Sequence, residues 1–545
     1  MLIDVTADNE FISICSQKLR ADKTRFISAL DKEVQNNSFL SVCASKGLGV
    51  STFLDMLVAF YGKQYFVEPF LNSDICKDID VLDKRGSCFG LTFDFAEVNS
   101  TTNYNKLITQ LVLDTETAAA SILGHNSFPR NNFIKLLRYI ADAKQCKLFI
   151  VLKNFDRVLR FVTKNLETLN AWRRLFALLA QSNLHSPFVY AVVAGTHIPS
   201  IIDMMYSPDN RNKSKIFTDL SADSYKNSDD FYGWCGITQN EVHSILKSNG
   251  SDLDFNELYD WCGHYDEALF RPGSVFSSLS NNDLFMTINV DSGVWYAREI
   301  VNNGYGCYLL CGDIGVGRLF NGEAISMHEI NINDPRRTTG TVQEVYNFSR
   351  RFLQSLYAEG IVSIAKQKDS RLDNAELVNK ETIFAVGEAI SESDDYLSEL
   401  CAIANLRNKF EPDFVKEVGT TLGEAIIRYL KAQKKFLGDK GYVSIWQLVY
   451  DLLVDLDDYD LVCLRNVFLL KPKTPVGKYV TVSVGVNTEK TVLLNETVNL
   501  RLNDLEYNGA VAGHHGQICA LVYNLTLDDS PNSEPTLDMQ SAYVL

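Results

Sequence analysis

The first half of the sequence predicts an α/β fold built on a mostly parallel sheet, and the second half predicts a mixed α+β domain. Four short apolar runs, each typical of a buried strand, alternate with segments of helix length. They are Phe39–Cys43, Cys88–Phe95, Leu148–Leu152 and Pro187–Ala194. Because these runs are continuous rather than alternating, both faces of the sheet are expected to be covered, as βαβ crossovers require.

Apolar residues at helical spacing predict the helices that connect and follow these strands. Between the strands they are expected at Thr52–Phe60, Tyr104–Ala120, Asn132–Ala143 and Leu166–Ala180. Further helices at Gln239–Lys247 and Phe255–Trp261 predict a small helical subdomain from about residue 235 to residue 284. The first domain is therefore expected to span residues 1–284.

Residues 285–527 predict the second, mixed α+β domain. Phe285–Phe320 is expected to be β-rich, with Gly312–Gly317 (GDIGVG) as a glycine-rich hairpin turn, because strand-like residues follow it. The segment Lys366–Asn374 is expected to be a charged linker. Helices are predicted at 341–359, 414–436 and 443–456, and strands at 462–470, 479–486, 491–500 and 518–525. Residues 528–545, rich in Asp, Ser and Pro, are expected to form an acidic, disordered tail.

The composition limits the classes of partner. A formal net charge of −16 and a pI near 5.1 argue against a broad nucleic-acid surface, because phosphate binding needs clustered Lys and Arg. No run of 18 apolar residues and no export signal is found, so no membrane association is expected. The twelve cysteines contain no CxxC pair, which indicates reduced thiols. We expect a cytoplasmic protein, with the nucleus as the alternative.

The decapeptide Cys43–Thr52 (CASKGLGVST) joins a predicted strand to a predicted helix through a glycine-containing turn. It has the frame of a phosphate-binding P-loop, GxxxxGK[ST]. In that motif backbone N–H groups cradle phosphates, the lysine neutralises them, and the hydroxyl holds Mg²⁺. Two fixed positions differ here, since Ala44 replaces the first glycine and Val50 replaces the lysine.

The rest of the loop is retained. Gly49, Ser51 and Thr52 match the motif, and Lys46 and Gly47 lie inside the loop, where the lysine can place a charge near phosphates. A nucleotide site with ATP and Mg²⁺ as candidate ligands is one interpretation. The alternative is an ordinary strand-to-helix turn in which the glycines serve backbone freedom and valine fills the old pocket.

Seven segments of the first half occur in a characteristic order. They are Ala21–Thr24 (ADKT), Lys46–Leu57 (KGLGVSTFLDML), Gly90–Phe95 (GLTFDF), Phe149–Asp156 (FIVLKNFD), Val192–His197 (VVAGTH), Cys235–Leu246 (CGITQNEVHSIL) and Trp261–Leu279 (WCGHYDEALFRPGSVFSSL). In this order they resemble motifs of the AAA-ATPase-like family, whose members often carry a restriction-type nuclease domain downstream. The resemblance spans about half of the chain and implies a P-loop NTPase-type domain.

The resemblance also implies a Walker B strand, in which a first carboxylate supports Mg²⁺ and an adjacent Glu orients water. Lys153 and Asn154 occupy these two positions, while Asp156 matches the family and Thr196 falls at a sensor-like position. Phosphoryl transfer depends almost wholly on positioned charge around the phosphate and the metal. Loss of one such group commonly lowers the rate by about 10²–10³-fold. We therefore expect no efficient ATPase.

The nuclease activity found in some family members needs an Asp followed by a Glu-x-Lys strand to bind metal. No Glu-x-Lys triplet occurs in the sequence. The second domain is thus expected to be, at most, a degenerate nuclease-like domain.

Three functions follow from these residues. The first is a pseudoenzyme, a degenerate AAA-ATPase-like protein acting through nucleotide binding or protein assembly, with a protein partner or self-assembly. The second is an active NTPase in which Lys46 or Lys153 replaces the missing lysine. The third is a structural or self-assembling protein that reuses the fold.

Overall fold

The structure is a computed structural model of the chain. It describes residues 2–4, 9–15, 20–36, 39–65, 68–95, 104–154, 189–195, 218–219, 233–265, 268–285, 288–302, 312–326, 352–353, 355–366, 373–407, 415–437, 445–454, 456, 458–463, 467–474, 478–487, 518–526 and 535–544. The chain divides into two compact units. The first unit comprises residues 1–287 together with 358–360, and the second comprises 288–357 and 361–545.

The first unit is built on a mostly parallel sheet, as the sequence predicts. Its described strands are β1 (Leu2–Asp4), β2 (Phe39–Cys43), β3 (Cys88–Asp94), β4 (Lys147–Lys153), β5 (Val189–Gly195) and β6 (Thr218–Asp219). They lie in the order β1-β3-β4-β5-β2-β6, and only the pairing of β1 with β3 is antiparallel among them. The α/β fold class is therefore confirmed. The P-loop strand β2 is separated from β4 by one strand.

Helices of the first unit connect these strands. They are α1 (Glu10–Cys15), α2 (Arg25–Asn36), α3 (Val50–Tyr61), α4 (Ile79–Leu82), α5 (Tyr104–Leu123) and α6 (Phe133–Lys144). Helix α3 follows the P-loop directly, and every residue from Phe53 to Tyr61 is buried. This burial explains why the helix shows no polar face in the sequence. The helix predicted at Leu166–Ala180 lies outside the described residues.

The helical subdomain contains a short antiparallel pair, β7 (Ile237–Thr238) with β8 (Leu269–Phe270), and three helices. These are α7 (Gln239–Asn249), α8 (Phe255–Cys262) and α9 (Pro272–Asn281). Thr238 and Glu241 form a capping box that starts α7, and Pro272 starts α9. The three helices share an apolar core with Ile237 and Phe270.

In the second unit, the prediction of β structure across Phe285–Phe320 is wrong for the described residues 291–302 and 312–320. Two helices occupy this region, α10 (Asp291–Asn302) and α11 (Gly312–Phe320). In α10 the buried residues Val294, Ala297 and Val301 recur at helical spacing, and this pattern prevails over the strand-like composition.

The predicted hairpin turn at Gly312–Gly317 is also wrong, because these residues begin helix α11. A Cβ atom at Gly317 would lie 2.5 Å from the backbone oxygen of Leu400. The glycine thus serves close packing against the later helix Tyr396–Arg407, and not a turn.

The remaining elements of the second unit include a three-stranded antiparallel sheet of β9 (Ile325–Ser326), β10 (Val362–Lys366) and β11 (Asp373–Leu377). The helices are α12 (Lys380–Ser391), α13 (Tyr396–Arg407), α14 (Val415–Phe436) and α15 (Ile445–Leu453). Lys366 pairs with Asp373, so both ends of the predicted charged linker belong to strands. Residues 367–372 between them lie outside the described part of the chain.

The second unit contains a second sheet. It contains β12 (Tyr459–Cys463), β13 (Phe468–Pro472), β14 (Tyr479–Val486), β15 (Ile518–Thr526) and β16 (Thr536–Val544), in sequence order. Only the β14–β15 pair is parallel among these described strands. The strand predicted at 462–470 is a hairpin of two strands, and the one predicted at 491–500 is not among the described residues.

The predicted disordered tail is wrong over Thr536–Val544. These nine residues form β16, which pairs antiparallel with β15 along its whole length. Leu537 and Met539 lie two residues apart, on one face of the strand, and pack against the apolar core of the second unit. The acidic composition concealed this alternation. None of the described helices is both long enough and apolar enough to cross a membrane.

Candidate functional site

The loop between β2 and α3 has the backbone conformation that its glycines predict. Gly47 and Gly49 have φ angles of 87° and 84°, in the left-handed region that other L-residues rarely adopt. The carbonyl of Leu48 accepts a hydrogen bond from the Gly236 amide at 2.7 Å, and that of Lys46 accepts one from Arg271 Nη2 at 3.1 Å. Hydrogen bonds to two of its carbonyl groups thereby fix the loop.

The Lys46 and Leu48 amides of the same loop donate to the Ala358 and Ser45 carbonyls, and the other amides are not engaged by the described residues. Among the described residues, no protein group accepts a hydrogen bond from the backbone N–H groups of Gly47, Gly49, Val50, Ser51 or Thr52. The last three begin α3, where a helix leaves its first amides unsatisfied and carries a partial positive charge. The loop therefore offers several donors to an anion.

These amides border a cavity of about 470 Å³. Val50, the residue in the lysine position, lines this cavity and does not close it. The other walls come from α1, the Asp22–Thr24 segment, the end of β4, the segment around Trp234, and the start of α9. The apolar part of the wall includes Phe11, Ile14, Pro69, Trp234, Ile237, Pro272 and Phe276.

The cavity lining contains more basic than acidic side chains. Its described part has four basic side chains, Arg20, Lys23, Lys46 and Lys153, and two acidic ones, Glu10 and Asp22. The three lysines pair with carboxylates that do not line the cavity: Lys23 with Glu241, Lys46 with Glu359 and Lys153 with Asp55. The loop amides, and not an excess of positive charge, are therefore the feature that favours an anionic ligand.

The segment Asp22-Lys23-Thr24 builds one wall of the cavity. Asp22 accepts hydrogen bonds from the Thr24 and Asp74 amides, at 2.9 and 2.8 Å. Lys23 Nζ donates to the carbonyl of Gly233 at 2.8 Å and to Glu241 at 2.6 Å. Burial lowers the pKa of Lys23, and the nearby Glu241 carboxylate opposes that shift. Lys23 is therefore a structural tie between two segments of the wall.

The Walker B position carries a reversed charge pair. Lys153 Nζ lies 2.6 Å from Asp55 Oδ1, and both side chains are about nine-tenths buried, at 12% and 9% exposure. Asp55 belongs to α3, four residues after Ser51, and its second oxygen accepts from the Glu10 amide at 3.4 Å. Burial raises the pKa of Asp55, while Lys153 lowers it. The acid, Asp55, is on helix α3 and the base, Lys153, is on strand β4. The family pattern is the opposite, with the lysine at the P-loop and the acid on the strand.

The next residue also differs in kind from a catalytic carboxylate. Asn154 donates a hydrogen bond from Nδ2 to Asp94 Oδ1 at 2.9 Å, and its φ angle of 53° is left-handed. The side chain therefore bridges the ends of β3 and β4. Asp156 and Thr196, the other predicted site residues, lie outside the described part of the chain.

The family implies Mg²⁺ at this site, and the residues present do not fit that ion. One carboxylate position is the ammonium of Lys153, and the other is an amide donor, Asn154. Asp55 is engaged by Lys153. Ser51 keeps its hydroxyl at the cavity. Within the described residues no group of three or more His, Cys, Asp or Glu side chains is arranged to hold a metal.

Lys46, the loop lysine, is paired from outside the cavity. The tripeptide 358–360 belongs to the first unit, and there the carbonyl of Ala358 accepts a hydrogen bond from the Lys46 amide at 2.8 Å. Glu359, with a side chain only 5% exposed, places Oε2 3.5 Å from Lys46 Nζ. The carboxylate thus offsets part of the charge that Lys46 would present to an anion.

We expect Glu359→Gln to raise the affinity of the cavity for a polyphosphate anion roughly three- to tenfold at low salt, since a negative charge near the loop is removed. Titration calorimetry at two salt concentrations measures this effect, which should shrink as salt screens the charges. Glu116→Gln is the control, because Glu116 accepts a hydrogen bond from the Asn131 amide and neither residue lines this cavity. An unchanged or lower affinity of the Glu359 variant would show that this pair does not restrain Lys46.

Several residues of the site cannot be predicted from the sequence alone. For Asp55 the sequence gives a weak indication, because a lysine at an acid position predicts a compensating acid on the facing helix. For Glu359 it gives no indication, since this residue is distant from the loop in sequence. Arg271 lies in a segment that resembles a family motif, but the resemblance assigns it no role. In the structure it is buried, donates a hydrogen bond to the Lys46 carbonyl and lies against Gly47.

The parallel sheet, the glycine loop that leaves β2 and the buried helix α3 define a P-loop NTPase-type domain. The recognition made from the sequence motifs is confirmed: residues 10–191 match the model of the AAA-ATPase-like family, described as "Predicted AAA-ATPase". The match does not reach the second unit, so a nuclease-like domain there stays a prediction. No curated protein matches the chain.

Solved structures that resemble the chain do so distantly. A Walker-type ATPase of Pyrococcus abyssi has 10% identity and a TM-score of 0.35, with 67% of this chain and 95% of that chain covered. The ORC2 protein of Aeropyrum pernix, solved as ADPNP–ADP complexes, has 12% identity and a TM-score of 0.35, covering 70% and 98%. Drosophila ORC bound to AT-rich DNA and Cdc6 has 10% identity and a TM-score of 0.20, covering 71% and 97%. Likenesses this distant do not bear on ligand or partner.

Proposed function

We propose that the first unit is a nucleotide-binding, catalytically impaired relative of the AAA-ATPases. The observation that carries this proposal is the combination of an open cavity of about 470 Å³ at the P-loop with lysine and asparagine at the Walker B positions. The cavity supports binding, and the two side chains argue against turnover.

Binding is supported by the backbone more than by side chains. The amides of the Gly47–Thr52 segment and the N-terminus of α3 are donors that do not depend on the lost P-loop lysine. Aromatic walls at Phe11, Trp234 and Phe276 suit a base or another planar apolar group.

Efficient hydrolysis is disfavoured by charge. An ATPase needs a metal held by carboxylates and an acid that orients water, and this cavity offers Lys153 and Asn154 in those places. The alternative of an active NTPase with a substituted lysine is weakened because a lysine at the phosphates does not supply the carboxylates that hold the metal and orient water.

We further propose that occupancy of the cavity serves assembly with a protein partner or with a second copy of the chain, rather than release of phosphate. A cytoplasmic location, with a nuclear one as the alternative, belongs to the same proposal. Nucleic acid is not proposed as a partner, in view of the acidic composition.

The experiment is a titration of the full chain with ATP and with ADP, combined with a phosphate-release assay. We expect binding of both nucleotides and no turnover beyond background over hours. At a ligand concentration of 100 times Kd, bound nucleotide stabilises the fold by about 2.7 kcal/mol, which a thermal shift detects. Multiple turnovers that depend on Mg²⁺ and are abolished by Ser51→Ala would establish an active NTPase instead. Absence of binding at millimolar nucleotide would leave only the third hypothesis, a structural protein that reuses the fold.

A further inference from the structure

We infer that this cavity binds its nucleoside polyphosphate without a divalent metal, with the ammonium of Lys153 as the cation that faces the phosphates. The inference rests on the proposed nucleotide binding and specifies the ionic form of the ligand. It depends on two observations, namely the place of Lys153 and the arrangement of charges around it.

Lys153 lies at the same edge of the sheet as the P-loop. It is opposite Ala194 of β5, and Ala194 is opposite Val42 of β2, one residue before that strand ends. Two steps between parallel strands separate β4 from β2, which is about 10 Å. The P-loop leaves β2 at this level, and Lys153 lines the same cavity as the loop. An ammonium group thus stands within reach of an anion held by the loop amides.

The reversed pair holds that ammonium in place without consuming all of its donors. A lysine ammonium has three N–H donors, and Asp55 is the partner that the described residues give it. Asp55 lies on the buried side of α3 and is not part of the cavity lining. The carboxylate therefore holds the lysine from the side away from the cavity, and two N–H donors of the ammonium are left for the cavity side.

The same arrangement disfavours a metal. A divalent cation at the Walker B position would meet the Lys153 ammonium and the Asn154 amide donor in place of carboxylate oxygens, which are the ligands that Mg²⁺ prefers. A bound metal also neutralises two negative charges of a nucleotide, which weakens the attraction between the phosphates and the Lys153 ammonium in the cavity wall.

The test compares titration calorimetry of the full chain with ATP in EDTA and with ATP in excess Mg²⁺. We expect the metal-free nucleotide to bind at least about fivefold more tightly. Binding that requires Mg²⁺ would overturn this inference and leave the proposed nucleotide binding standing. Absence of binding in both conditions would overturn the proposed function and this inference with it. Inorganic triphosphate and adenosine, titrated in EDTA, should each bind more weakly than ATP, and equal binding of triphosphate would limit the ligand class to polyphosphate.

A double variant isolates the role of Lys153. Asp55→Asn with Lys153→Gln removes both charges and keeps a hydrogen-bonded amide pair, so folding is expected to persist. Affinity for metal-free ATP should fall about tenfold or more, because a charge-assisted contact is lost. The matched control is Asp31→Asn with Lys84→Gln, which removes another lysine–aspartate pair at 2.5 Å in the same unit, away from the cavity lining. Equal affinity in the two double variants would show that Lys153 does not contact the phosphates.

Discussion

Replacing Ser51 with glutamate is expected to lower nucleotide affinity by at least about 100-fold while leaving the fold intact. Ser51 is exposed, lines the cavity and occupies the second position of α3, whose first-turn amides are the proposed phosphate donors. A carboxylate there competes for those amides and repels phosphates. Because an acid near a helix N-terminus is stabilising, the thermal midpoint should stay the same or rise slightly.

The control for this variant is Ser51→Gln, which adds nearly the same volume without the charge. We expect it to weaken binding by about tenfold, with the difference between the two variants shrinking at high salt. Titration calorimetry in low and high salt provides the measurement. Undiminished binding to the glutamate variant would place the ligand elsewhere than at the start of α3.

The second large effect concerns stability. Lys153→Met should lower the free energy of unfolding by about 3–5 kcal/mol, because it leaves the buried Asp55 carboxylate without its partner. Urea denaturation measures this loss. Lys77→Met is the comparison, since Lys77 and its partner Asp74 are both exposed, at 82% and 37%, and loss of this pair should cost far less. Equal stability of the Lys153 variant and the native chain would contradict a structural role for the pair.

The same variant predicts a dependence on pH. Burial already raises the pKa of Asp55 in the folded chain, and removal of Lys153 takes away the charge that opposes that shift. A carboxyl with a raised folded pKa binds a proton more readily in the folded state than in the unfolded state. Stability of the Lys153→Met variant should therefore recover as pH falls through the raised pKa toward the ordinary value of about 4. A stability profile parallel to that of the native chain would contradict this explanation.

Local patterns were sufficient wherever the sequence determines structure over short distances. The strand β2, the glycine loop and helix α3 follow from an apolar run, two glycines that need left-handed φ angles, and a buried helical stretch. The same patterns failed where a residue serves packing. The glycine-rich pattern predicts a turn at Gly317, which supports a helix contact instead, and the acidic composition predicts a tail at Leu537, which belongs to a strand.

By itself the sequence determined that the chain carries a P-loop-type α/β domain and that Val50, Lys153 and Asn154 replace catalytic residues, because these are properties of order and residue type. Only the tertiary structure decided what the replacements do. It brought Asp55 to Lys153 and Glu359 to Lys46 across separations of 98 and 313 positions, and it left the loop amides facing an open cavity. Such pairings depend on where the sheet and its neighbouring segments place side chains, and Coulomb energy acts over ångströms and not over sequence distance.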